Sequence, residues 1–68
     1  MTKRAKDLKR GDVLTRVPYY GEADKLPVTV EWLHAARQRG SVIAEGINRE
    51  GQKVLIPLGH GSNDVEVR

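Results

Sequence analysis

The stretch VTVEWLHAARQRG, residues 28–40, decides the fold class, because it reads well in two ways. Val28-Thr29-Val30-Glu31-Trp32 alternates apolar and polar side chains with period 2, as a strand with one buried face does. The apolar character continues through Leu33, Ala35 and Ala36 and stops at Gln38-Arg39-Gly40. The segment from Val30 to Gly40 also satisfies a helix. Glu31 would stand near its start, Arg37 and Arg39 near its end and Gly40 just beyond, with Val30, Leu33 and Ala36 on one face. The first reading makes the chain all-β. The second makes it a small α+β domain with one helix at about residues 30–39, whose basic end could enter a DNA groove. Pro27 and the β-branched Val-Thr-Val start favour extension, and so short a helix would have no partner helix to brace it. We read the stretch as a strand.

The residues that follow strengthen this choice. Val42-Ile43-Ala44-Glu45-Gly46-Ile47 and Val54-Leu55-Ile56-Pro57-Leu58 are β-rich apolar runs on either side of Asn48-Arg49-Glu50-Gly51, a hairpin pattern in which Gly51 can take positive φ. Gly46 inside the first run predicts a bulge or sharp bend. Gly59 to Asn63 forms another turn, and Asp64 to Arg68 alternates again with Val65 and Val67 on one face. On the N-terminal side, Val13-Leu14-Thr15-Arg16-Val17 is β-branched and stops at Pro18, and residues 18–27 read as a loop carrying Tyr19 and Tyr20. The expectation is five short, mostly antiparallel strands.

Leu8-Lys9-Arg10-Gly11-Asp12-Val13 precedes the first of these strands. It resembles the L-K-x-G-D-x-V opening of many SH3-like small barrels, including KOW-type modules of translation and transcription, in which Gly and Asp form the corner that launches strand one. The resemblance implies a five-stranded SH3-like barrel and no particular activity. It divides the chain into a basic N-terminal arm, residues 1–7, and a barrel domain, residues 8–68.

Size and composition narrow the functions. A chain of 68 residues has room for one domain, and at this size only about 60% of the unfolded surface is buried, which leaves little for a deep active-site cleft. There is no cysteine, hence no disulfide and no thiolate nucleophile or ligand. No apolar run approaches the roughly 20 residues of a membrane span, and none follows the basic start as a signal peptide would require; the expected setting is cytoplasmic. With no Phe present, the core must be built from Val, Ile, Leu and Ala, with Trp32 expected as its principal aromatic side chain.

Charge is unevenly spread. Residues 1–10 hold Lys3, Arg4, Lys6, Lys9 and Arg10 against Asp7 alone, a net of +4; the other 58 residues, with seven cations and eight carboxylates, sum to −1. A basic arm of this kind contacts phosphates, and its removal through residue 6 is expected to spare the fold. Tyr19 and Tyr20 are candidates for stacking on bases, and Arg37 and Arg39 for a second basic surface separate from Arg49 and Lys53. His34, His60 and Asp64 match no usual metal spacing, and His60, Ser62 and Asp64 are too crowded in one turn for a hydrolytic relay. No cofactor, metal, membrane or small-molecule substrate is expected. The resulting expectation is a non-enzymatic binding module associated with nucleic acid, in transcription, translation or DNA maintenance. The alternative is a protein-binding adaptor or inhibitor of the kind phages and mobile elements carry, docking on a larger host protein.

Overall fold

A computed structural model describes residues 1–18, 21 and 23–68, and Tyr19 and Tyr20 lie outside the described residues. Strands β1 (Thr2–Arg4), β2 (Val13–Arg16), β3 (Val28–Ala35), β4 (Ser41–Asn48), β5 (Lys53–His60) and β6 (Asp64–Val67) form one antiparallel sheet in the order β1-β6-β2-β3-β4-β5. Residues 28–35 are thus a strand, and among the described residues there is no α-helix, only two 3-10 turns at Ala5–Asp7 and Ala23–Lys25. The helix alternative for residues 30–39 is excluded. The loop before β3 ends in a cis Leu26–Pro27 peptide bond.

The sixth strand comes from the residues expected to be an arm. Thr2, Lys3 and Arg4 pair with Glu66, Val65 and Asp64, and Ala5 just after them is fully buried. Lys3 stands on the core side of the ladder, opposite buried Val65, and its ammonium reaches Asp12 Oδ2 at 3.0 Å. A lysine covers the core edge here with its stem while the charged head finds a carboxylate. Thr2–Arg4 therefore belong to the sheet and Ala5 to the core, and removing residues 1–6 would remove a strand and a core residue.

The hairpin forms as its turn chemistry dictates. Gly51 has φ +78°, its N–H donates to the Asn48 carbonyl at 3.0 Å, and the Asn48 side-chain oxygen accepts from the N–H groups of Glu50 and Gln52. The bend expected at Gly46 is a bulge on the opposite strand. Val30 pairs with Gly46 and Trp32 with Glu45, leaving Glu31 as the extra residue on β3. Gly46 is required there, because a Cβ would fall inside contact distance of the Thr29 carbonyl oxygen and 2.6 Å from Val28 Cγ1.

One insertion reverses the facing of everything after it. Val28 and Val30 point to the core, but beyond Glu31 it is Leu33 that packs inward, and Trp32 is 62% exposed. Trp32 is therefore not the core aromatic that period-2 counting from Val28 predicts. The core is aliphatic, with Leu14, Val28, Val30, Ile56 and Val65 essentially fully buried, and no described polar or charged residue is buried in it.

The sheet curls strongly. The three-residue turn from edge strand β5 into β6 receives the Ala5 N–H at Asn63 O (2.8 Å) and the Lys6 N–H at Gly61 O (2.9 Å), while Gly61 donates to Gly40 O (2.8 Å). No ladder joins β1 to β5, so the sheet remains open.

Candidate binding face

The corner before β2 sets the first part of the site. Asp12 Oδ2 accepts from the Lys9 N–H at 2.9 Å and from Lys3 Nζ at 3.0 Å, while the Asp12 N–H donates to Lys9 O. Gly11, at φ +96°, turns the chain so that its N–H reaches Val30 O and Asp12 O receives the Val30 N–H, both at 2.8 Å. The corner is thereby bonded to β3 one residue before its bulge. Asp12 is held below the usual carboxylate range, first by the Lys9 backbone N–H and then by the Lys3 ammonium.

Because Glu31 bulges, β3 turns its next side chains to solvent, and the register carries the pattern across two more strands. Trp32, Glu45 and Leu55 form one outward row; His34, Ile43 and Pro57 form the next; Thr29, Ile47 and Lys53 lie on the other side. Trp32 and Leu55 are 62% and 59% exposed, with Glu45 between them. Between them His34 Nε2 donates to Glu45 Oε1 at 2.8 Å and Lys53 Nζ stands 3.5 Å from Glu45 Oε2. The His34 hydrogen bond, assisted by Lys53, keeps the Glu45 carboxyl below its ordinary range. The Trp32 and His34 rings are tilted 48° to each other with centroids 6.4 Å apart.

An open depression of about 400 Å³ lies on this face, lined by Arg10, Glu31, Trp32, His34 and Glu45. Lys9, the chain neighbour of Arg10, lines a second and larger one of about 740 Å³ together with Lys3, Arg4 and Lys6 and the carboxylates Asp7 and Asp64. Lys9 and Arg10, adjacent in the chain, thus line one hollow each.

The expected site residues divide accordingly. Lys3 is occupied by Asp12 and is part of the scaffold. Arg4, Lys6, Lys9 and Arg10 have no ion pair with any described residue. Arg37 and Arg39 are exposed in the β3–β4 connection, and Lys6 and Gly40 both bond to Gly61, so this connection lies at the same end of the sheet as the basic N-terminal segment. Arg49 sits in the hairpin turn at the other end of β4, and Lys53 is engaged by Glu45. Sequence reading missed Trp32 and Leu55 as exposed side chains and Glu31 as the bulge residue; Gly46 was the available signal, since it pairs beside the bulge that turns Trp32 outward.

The crowded turn has its own local geometry. His60 Nδ1 accepts the Ser62 backbone N–H at 3.1 Å and lies 2.7 Å from Ser62 Oγ, whereas Asp64 belongs to β6 opposite Arg4. Among the described residues no group of three or more His, Asp or Glu side chains is placed to hold a metal ion, and no helix is long and apolar enough to cross a membrane. No protein-family model, curated protein or solved structure matches the chain.

Proposed function

We propose that the chain is a non-enzymatic binding module that associates with nucleic acid, its sheet curled as an SH3-like barrel. The carrying observation is that Arg10 and Trp32 line one depression, and that Lys9, next to Arg10 in the chain, lines a second with Arg4 and Lys6, none of these cations forming an ion pair with a described residue. Free cations beside an exposed aromatic are the two components of a surface that follows a phosphate backbone and stacks bases. The barrel reading is supported by the turn after β5, which ties the ends of β1 and the β3–β4 connection together across the opening of the sheet.

A second reading, docking on a larger protein, is favoured by Leu55, Ile43 and Pro57, which extend the exposed row beyond Trp32 without cations among them. Salt dependence separates the two. Arg4, Lys6, Lys9 and Arg10 are replaced together by Gln, which keeps the β1 backbone and Ala5 in place. On the nucleic-acid reading the wild-type affinity for mixed-sequence single-stranded DNA falls linearly on a log–log salt plot, and the variant slope is shallower by about 3 units, at about 0.7–0.9 per lost contact. An unchanged slope, or no binding at low salt, overturns the reading.

A further inference from the structure

The depression at Trp32 holds charges of both signs, and their positions sort the parts of a nucleotide. Arg10 stands next in the chain to Lys9, which lines the basic hollow, whereas Glu31 is the bulge residue of β3, next to Trp32 in the chain. The two oxygens of Glu45 are already engaged by His34 and Lys53. The Glu31 carboxylate has no hydrogen bond or ion pair with any described residue, which makes it the open acceptor of the site. An ionised carboxylate repels phosphate and can only accept hydrogen bonds, so next to a stacked ring it favours a base whose edge donates. Cytosine, adenine and guanine carry an exocyclic amino group, and thymine and uracil do not.

From this arrangement we infer that the depression takes one unpaired, amino-bearing base of a single-stranded nucleic acid. The base stacks on the indole of Trp32, its amino group donates to Glu31, and its phosphate lies on Arg10. A duplex cannot satisfy this site, because the faces of its bases are covered by their neighbours and closed to the indole; the amino hydrogen that pairing leaves free in the groove does not replace that stacking. The inference rests on the nucleic-acid reading above and specifies the strand state and base class for it.

Trp32 is the sole tryptophan of the chain, so its fluorescence, excited where tyrosine does not absorb, reports on this site alone. The full chain is titrated at neutral pH and low salt with oligo-dC, oligo-dT and a mixed-sequence duplex, each carrying a fluorescent end label so that anisotropy gives total binding. Oligo-dC is expected to quench the indole and to bind about 2- to 10-fold more tightly than oligo-dT, the range of a single net hydrogen bond. Trp32→Ala should weaken oligo-dC binding by about 5- to 150-fold, with Trp32→Phe recovering most of it. Glu31→Gln, whose amide both donates and accepts, should erase the preference for dC. Binding seen by anisotropy without indole quenching overturns this inference and leaves the nucleic-acid reading standing. Equal affinities for dC and dT in the wild type overturn the role of Glu31, and duplex binding as tight as single-strand binding overturns the strand state. If no oligonucleotide binds, both this inference and the nucleic-acid reading fall, and the face belongs to a protein partner.

Discussion

Trp32 owes its position to a single inserted residue. Without the bulge at Glu31, the alternation that buries Val28 and Val30 would bury Trp32 as well; with it, Leu33 takes the inward place and the indole is presented to solvent. Stability measurements should follow this assignment. In urea unfolding, Trp32→Ala is expected to change the unfolding free energy by less than about 1 kcal/mol, as a surface substitution does, while Ile56→Ala, at a fully buried aliphatic position, should cost about 2–5 kcal/mol. A large loss for Trp32→Ala would place the ring back in the core. The error in reading Trp32 from sequence has a physical origin. Periodicity is counted along one strand, whereas the bulge is dictated by the partner strand, where Gly46 lets the Thr29 backbone come too close for any Cβ. Gly46 was legible as a local irregularity, but nothing in its own strand says which residue of the neighbour is extruded. Glu31, read as the polar member of an alternating pair, is the residue that breaks the alternation.

The elements differ in how openly the chain declares them. The β4–β5 hairpin and β6 are plain, because their apolar side chains alternate or cluster between turn residues and nothing long-range is needed to choose their ends. Strand β1 is not legible, since Thr-Lys-Arg offers no apolar alternation; its inward place is filled by a lysine that is acceptable only because Asp12 stands within 3.0 Å. The corner at residues 9–12 is legible as a turn, and its carboxylate fastens two pieces, the turn itself and β1 through Lys3, while the Gly11 and Asp12 backbone bonds the corner to β3. That linkage gives a pH dependence. The Asp12 carboxyl is lowered in the folded chain relative to its ordinary value of 3.8, so its contribution to stability is fully present above that value and is lost as pH falls through the lower folded value. Asp12→Asn, which keeps shape but removes the charge, should lower the urea midpoint at neutral pH and flatten the decline of wild-type stability below about pH 4. Parallel wild-type and variant curves across that acid range would show that Lys3 and the Lys9 N–H draw no stabilisation from the Asp12 charge.

On the scale of the whole molecule, the last strand is laid between the first two. Strand β6 pairs with β1 on one side and β2 on the other, the Val67 N–H donates to Met1 O at 2.8 Å, and the Met1 ammonium lies 3.0 Å from Val67 O. The pairings of β6 with β1 and β2 thus span most of the sequence, which slows their formation relative to the local β3-β4-β5 meander. Two consequences follow from this placement of the ends. Removing residues 64–68 takes away the only neighbour that β1 and β2 share, along with buried Val65 and Val67, so the truncated chain should lose its cooperative thermal transition even though the meander is intact in sequence. Joining Arg68 to Met1 through a short glycine-rich linker and opening the chain between Arg49 and Glu50 makes the opposite change: every strand is kept, the β1–β6 pairing becomes local, and only one exposed turn is cut. This permutant should show the same β-type circular dichroism as the parent and a cooperative melt, with a somewhat lower midpoint because Asn48 loses the covalent turn that its side chain organises. A permutant that fails to fold would mean that the β4–β5 hairpin has to form first and locally for the rest of the sheet to assemble on it. In that case the outward row from Trp32 through Glu45 to Leu55 would depend on that hairpin as well, because two of its three residues stand on β4 and β5.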